Sequence, residues 1–240
     1  MHRHADTFLT LEALGTRIPV YQPTYEFPGP YLDAAHAALA QGPFKDGFLI
    51  QRRDSRWLGQ IIPGWLRAED ALKLYELAYF AAGDILELGS YHGLSTSIMA
   101  EAGRNSPQPK RLYSVDLDGM AVRAARFHLW RAGLAAAVQV ERQEALAAVR
   151  AHAAAGRSLA LVFVDHSHEY QPVYEVCRAL PEVLPPGGFC VFHDFNDPRN
   201  RDSANRDYGV YQAVVAGLDP AHFEFWGCYG VLALYRRRGA

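Results

Sequence analysis

Five places in this chain put polar or ionisable side chains directly after a short apolar run: Glu87, Asp116, Gln143 with Glu144, Asp165, and His193 with Asp194. The first of them opens Glu87-Leu88-Gly89-Ser90-Tyr91-His92-Gly93-Leu94-Ser95-Thr96, where two glycines separate an apolar run from an alanine-rich helical pattern. A strand that passes through a glycine turn into a helix presents backbone N–H groups and a helix N-terminus, a place where a polar cofactor can be held. Polar groups gathered along the same rim would bind the remainder of a ligand. Each of them alone reads equally well as a helix cap. Together with the glycine turn they describe a site.

For these residues to meet, the runs they follow must be neighbouring parallel strands. The pattern predicts that arrangement. A helix over Glu69 to Ala81, closed by Gly83, precedes the strand from Asp84; a helix over Leu94 to Ala102 follows it and stops at Gly103. The unit repeats as strand Arg111 to Val115, helix Met120 to Arg131, strand Ala137 to Arg142 and helix Glu144 to Ala155. Leu159 to Val164 is continuously apolar, as a central parallel strand covered on both faces should be. Helix Pro172 to Val183 begins on a proline, Pro185-Pro186-Gly187-Gly188 turns the chain, and strand Phe189 to Phe192 follows. After a polar loop over Arg199 to Asp207 and a helix over Tyr208 to Gly217, two strands, His222 to Trp226 and Val231 to Tyr235, flank Gly227-Cys228-Tyr229-Gly230. A tight turn between adjacent strands demands antiparallel pairing. The expected fold is α/β: a doubly wound, Rossmann-like, mainly parallel seven-stranded sheet with a C-terminal antiparallel hairpin.

Residues 1–60 break every period, with Pro19, Pro23, Pro28, Pro30 and Pro43 set among Tyr21, Tyr25, Phe27, Tyr31, Phe44 and Phe48. They read as an irregular N-terminal extension, a lid or part of a homodimer contact, ahead of a domain over 61–240. Half of the 240 residues are hydrophobic and the formal net charge is -2, so a core is available and the basic field that nucleic acid requires is missing. Cys177, Cys190 and Cys228 are widely spaced and odd in number, which reads as buried small hydrophobes in a reducing compartment. The N-terminus lacks the apolar core of a signal peptide, and no run reaches the ~18 apolar residues of a membrane span. A soluble cytoplasmic protein is expected, with no nucleic-acid or membrane partner.

Asp116 stands at the right distance after the glycine turn to accept hydrogen bonds from a ribose diol. That suits a nicotinamide dinucleotide or S-adenosylmethionine, and the G-x-x-x-G spacing departs from the G-x-G-x-x-G of dinucleotide binders. The stretch Glu87 to Thr96 resembles the first motif of class I S-adenosylmethionine methyltransferases, above all catechol O-methyltransferase, whose stretch reads E-L-G-x-Y-x-G-x-S. Leu161-Val162-Phe163-Val164-Asp165-His166-Ser167-His168 is similar to that family's metal-ligand strand. With Glu169-Tyr170, Leu184-Pro185-Pro186-Gly187-Gly188 and Phe192-His193-Asp194 it is closer still to the bacterial enzymes that methylate sugars and natural products. The resemblance covers residues 62–194.

The resemblance implies S-adenosylmethionine as cofactor. Gly89, Ser90, Gly93 and Ser95 would cradle its methionine part, with Glu87 supporting the turn and Gly64 and Trp65 closing over it. Asp116 would take the ribose, and Gln143, Glu144 and His166 would flank the adenine, with Asp165 at the edge of the same site. It also implies a divalent cation, Mg2+ or Mn2+, on Asp165, His193 and Asp194, where His193 is softer than the family's usual acid. His168 would be the catalytic base, an imidazole being suited to take a hydroxyl proton. His92 reads as lining on the cofactor side. The function implied is O-methylation of a sugar-like small-molecule acceptor, or alternatively of a phenolic or other natural-product hydroxyl. An NAD(P)-dependent oxidoreductase is the reading from a different class, and a non-catalytic binding module is another.

Overall fold

The computed structural model describes residues 50–51, 57–58, 62–66, 68–106, 108, 110–202 and 207–239. The extension expected over residues 1–60 therefore lies outside the described residues, except for a short antiparallel pair, β1 (Ile50–Gln51) and β2 (Trp57–Leu58).

Helix α1 (Ala68–Phe80) leads into β3 (Asp84–Leu88), α2 (Leu94–Asn105), β4 (Leu112–Asp116) and α3 (Gly119–Arg131). Next come β5 (Val138–Arg142), α4 (Ala145–Ala154), β6 (Leu159–Val164), α5 (Tyr170–Ala179) and β7 (Phe189–Phe192). A 3-10 turn at Pro198–Arg201, α6 (Val210–Gly217), β8 (Phe223–Tyr229) and β9 (Leu232–Arg237) complete the chain. The seven-stranded sheet has the order β5-β4-β3-β6-β7-β9-β8. Pairing is parallel from β5 through β7, and β9 runs antiparallel to both β7 and β8. The expected class and the expected hairpin are both present.

The two-residue period of the strands sorts the core into two layers. Ile85, Leu161, Phe163 and Val191 pack with α1, α2 and α3, through Leu74, Ile98, Met99, Ala125 and Leu129. Leu86, Leu88, Val162, Val164, Cys190 and Phe192 face the other way, against Val149 of α4, Val176 and Cys177 of α5, and Val214 of α6. Each large apolar side chain so buried contributes about 1.5–3 kcal/mol. The three cysteines are free and buried, as expected. Among the described residues no helix is long and apolar enough to cross a membrane.

Several element ends differ from the sequence reading by a few residues, and two of the differences have a clear physical cause. Helix α5 starts at Tyr170, so Pro172 is its third residue rather than its first. The position is tolerated because N–H groups of the first turn have no intrahelical acceptor to lose. In the hairpin, Gly227, Cys228 and Tyr229 belong to β8; Tyr229 pairs with Leu232, leaving only Gly230-Val231 as the turn. Gly230, at φ 58°, supplies the left-handed step that such a turn needs, while the register shift between Phe225 and Gly227 absorbs an extra residue.

Candidate active site

The order of the sheet reverses between β3 and β6: chain-consecutive β3, β4 and β5 lie to one side, and β6, β7 and the hairpin to the other. Ligands in open α/β sheets bind at the carboxyl ends of the strands beside such a switch. Here the end of β3 is the glycine turn. Gly89, Tyr91 and Gly93 all have positive φ, at 104°, 41° and 89°. At Gly89 no other residue fits, since a Cβ would fall 2.1 Å from the carbonyl oxygen of Asp165 on the adjoining strand end. The N–H groups of Gly89 and Ser90 both donate to the Val115 carbonyl, and that of Gly93 donates to the Ser90 carbonyl at 2.7 Å.

Beneath this turn the Glu87 carboxylate is fully buried and accepts from Ser95 Oγ, Thr96 Oγ1 and Ser114 Oγ, each at 2.5 Å. Burial pushes its pKa up to about 7, against the pull of those hydroxyls. It ties β3, β4 and α2 together from below. Asp116 does the same at the lip: its Oδ2 accepts from the Tyr91 N–H at 2.8 Å and its Oδ1 from the Asp118 N–H at 2.9 Å.

Across the switch, β6 and β7 end in Asp165 and in His193-Asp194. Successive side chains along an extended strand point to opposite faces. Asp194 leaves that conformation, with φ 57°, and its Oδ2 comes to 3.2 Å from His193 Nδ1, which is also 3.3 Å from Asp165 Oδ1. The bend is held by Asn200, buried in the 3-10 turn, whose Nδ2 donates to the Asp194 carbonyl at 2.8 Å. His168 Nε2 lies 3.0 Å from Asp194 Oδ2. Its ring stacks on Tyr208 at 4.8 Å and 15°, its carbonyl accepts from the Gly209 N–H at 2.7 Å, and the Arg199 guanidinium lies 4.0 Å from the same Tyr208 ring.

Charge is shared across this cluster. The hydrogen bond to Asp194 raises the His168 pKa above the ordinary histidine range against the opposing effect of burial. Burial works against the charged form of His193 too, yet Asp165 and Asp194 outweigh it and hold that pKa well above the ordinary range. Asp194 titrates below the usual carboxylate range because the two imidazoles overcome its burial. His166, with both ring nitrogens buried and without hydrogen-bond partners, is pushed down by burial. Asp165, His168 and Asp194 each offer one donor atom, all within 4.8 Å of one another. That donor set fits a cation, and His193 Nδ1, buried beside it, is paired with both carboxylates.

The turn and this cluster share one cavity of about 660 Å³, whose lining includes Gly64, Trp65, Ser90, Asp116, Asp165, His166, His168, His193 and Asp194. Trp65 and Tyr91, both exposed, stand 5.3 Å apart at its wall.

Residues 86–195 match the family model described as a methyltransferase domain. Over these residues the chain is similar to methyltransferase domains. No curated protein sequence matches it significantly. The O-methyltransferase TomG from Streptomyces achromogenes, in complex with S-adenosylmethionine, is a similar structure: 21% identity, 70% of this chain and 78% of that one, TM-score 0.57. So is the O-methyltransferase from Bacillus cereus in complex with S-adenosylhomocysteine: 16% identity, 69% and 79% covered, TM-score 0.57. Cofactor-bound Rv0187 from MTB aligns over 90% of this chain and 94% of its own at 23% identity, TM-score 0.57. These are likenesses of fold, and two of the three carry the name O-methyltransferase.

Of the side chains expected at the methyltransferase site, Gly64, Trp65, Gly89, Ser90, Ser95, Asp116, Asp165, His166, His168, His193 and Asp194 line the cavity. Gly93 shapes the turn from behind, where an added Cβ would meet the Ala125 backbone at 3.1 Å. Glu87 supports the turn and does not reach the cavity. Gln143 and Glu144 are absent from the lining; Glu144 caps α4, accepting from the Leu146 and Ala147 N–H groups at 2.9 and 2.8 Å. His92 is not in the lining either. It stacks on Tyr91 at 3.9 Å, and its carbonyl faces His128 Nδ1 at 2.8 Å. Leu66, Asp197, Arg199 and Val231 line the cavity without having been singled out in the sequence. Asp197 and Arg199 fall just beyond the His193-Asp194 pair, which is the signal that could have found them. Val231 comes in through the hairpin turn, held by its N–H to Asp70 Oδ1 at 2.9 Å, and no local pattern announces it.

Proposed function

We propose that this chain is an S-adenosylmethionine-dependent O-methyltransferase acting on a hydroxyl of a sugar or sugar-bearing small molecule, with a divalent cation on Asp165, His193 and Asp194. The observation that carries the reading is the juxtaposition of His168 with Asp194, Nε2 to Oδ2 3.0 Å, in the cavity that also opens on the Gly89–Gly93 turn. When bound, S-adenosylmethionine supplies the electrophilic methyl group, and a divalent cation supplies positive charge beside the reacting hydroxyl.

The chain's own residues do the rest. The turn and Asp116 hold the cofactor side, with Glu87 fixing the turn from beneath. Asp165, His193 and Asp194 hold positive charge at the acceptor side. His168, accessible from the cavity and oriented by Asp194 and Tyr208, takes the hydroxyl proton at Nε2 once that nitrogen is deprotonated. Holding nucleophile and methyl group in line is the main service of the two half-sites. Trp65 and Tyr91 offer flat faces to a pyranose.

A second acceptor class, a phenolic or other natural-product hydroxyl, is favoured by the same two rings and by the likeness to an enzyme involved in tomaymycin synthesis. Calorimetry with S-adenosylmethionine and with NAD tests the cofactor; only the first should bind. S-adenosylhomocysteine release with panels of glycosides and phenols then separates the acceptors. His168→Ala should lower turnover by about 10²-fold or more while cofactor affinity stays within a factor of two or so. A near-normal rate in that variant removes His168 from the role of base.

A further inference from the structure

We propose that Arg199 recognises an acidic group on the acceptor, a carboxylate or a phosphate monoester carried by the same small molecule as the hydroxyl. This deepens the O-methyltransferase reading, on which it rests for the hydroxyl, by naming the acceptor's charge.

Among the described residues that line the cavity, Arg199 is the sole lysine or arginine. The carboxylates around it already have bases of their own: Asp165 lies against His193, Asp194 against His193 and His168, and Asp197 against Arg199 itself. The guanidinium is fixed in place. Its Nε donates to Asp197 Oδ1 at 2.8 Å and its Nη2 to Asp197 Oδ2 at 3.0 Å, while its central carbon stands 4.0 Å over the Tyr208 ring. Tyr208 is buried, and Asp197 is itself anchored by the Arg199 N–H at 2.8 Å. Nη1 has no acceptor among the described residues, on a side chain that is 58% exposed. An arginine with one edge anchored and another open is preorganised for a planar acid, because little rotamer freedom is left to lose on binding.

Its place relative to the base follows from Asp194. Asp194 Oδ2 lies 3.0 Å from His168 Nε2, and Oδ1 lies 4.0 Å from Arg199 Nη2. The Tyr208 ring packs against both side chains. Base and guanidinium thus flank one carboxylate and one ring, near enough for a single small acceptor to bring its hydroxyl to the first and its acid to the second. Hydrogen bonds between two charged partners are the strong ones, so the acid would set both affinity and orientation. Were Arg199 only a fastening of the 3-10 turn to Asp197, its loss would lower stability and leave acceptor choice untouched.

The test compares acids with their neutral counterparts on the full chain loaded with S-adenosylhomocysteine, with MgCl2 present throughout. Calorimetry sets glucuronate and glucose 6-phosphate against glucose, and protocatechuate against catechol. In at least one pair the acid should bind about tenfold or more tightly, and the two sugar acids tell carboxylate from phosphate. In Arg199→Gln that ratio should fall about tenfold, and in Arg199→Glu it should invert. Sodium sulfate at constant ionic strength, which needs no variant, should weaken the acid's binding more than its neutral counterpart's. Ratios near one in every pair, a ratio that Arg199→Gln leaves unchanged, or equal weakening by sulfate overturns the inference. S-adenosylmethionine is titrated into the same samples, and its affinity in both variants should stay within a factor of two or so of the unaltered chain's. Cofactor binding without a preference for acids sinks this inference alone; failure of the unaltered chain to bind the cofactor sinks the methyltransferase reading.

Discussion

At Gly89 two constraints coincide, a φ of 104° and a neighbouring carbonyl that a Cβ would strike at 2.1 Å. Gly89→Ala should therefore cost about 3 kcal/mol or more, seen as a lower urea midpoint, and S-adenosylmethionine binding should weaken with it. Glu87 makes a different prediction, about pH. Its folded pKa of about 7 lies above the ordinary carboxylate value of 4.5, so the folded chain keeps a proton that the unfolded chain sheds. The stability from this difference, on the order of 3 kcal/mol, is fully present below pH 4.5 and is lost as pH rises through 7. Glu87→Gln has no such proton to lose. Urea melts at pH 5 and pH 8 should show the unaltered chain losing ground to the variant at the higher pH; the opposite trend would exclude a raised carboxylate. Individual residues were legible where chain-adjacent order equals spatial order: Asp165, His193 and Asp194 follow their strands directly. Glu144 lies outside the cavity lining and caps α4; a strand-end acid and an N-cap look alike in sequence, and only its two accepted N–H bonds show the cap.

The elements were read more easily than their ends. Periodicity located β3, β6 and β7 because apolar runs closed by polar or turn residues mark both limits of a buried parallel strand. The hairpin turn was set too wide because Gly227 resembles turn chemistry, while the bulge that keeps it in β8 depends on pairing with β9. A similar long-range tie secures α1. Lys110, from just before β4, donates to the carbonyls of Ala78, Tyr79 and Ala81 at 2.9, 2.9 and 2.6 Å, satisfying the end of a helix with no basic residue in its last turn. Lys110→Met keeps the aliphatic stem and removes the donors. It should lower stability by about 2 kcal/mol, a melting-temperature drop of roughly 4–8 °C by calorimetric scan, with the loss centred on α1 in hydrogen exchange. An unchanged scan would mean that water replaces the ammonium at no cost.

Over the whole molecule, the cavity joins turn, strand ends and hairpin, so a cofactor bound there should stabilise the fold as a unit. At a concentration of a hundred times its Kd, S-adenosylmethionine should add about 2.7 kcal/mol. That corresponds to a rise of roughly 5–10 °C in melting temperature, and NAD at the same concentration should give none. The strand order carries a further consequence. Because the sheet reverses at β3 and β6, residues 84–142 form one contiguous flank and 159–237 the other. The glycine turn and the Asp165–Asp194 cluster are thus separate lengths of gene. A recombination crossover near Gly156, an exposed glycine with nothing within 4 Å of an added Cβ, would exchange the Asp165–Asp194 cluster for a relative's and keep the residues of the glycine turn. On the proposed reading, that route would vary the rim beside His168 while Gly89, Ser90 and Asp116 stay as they are.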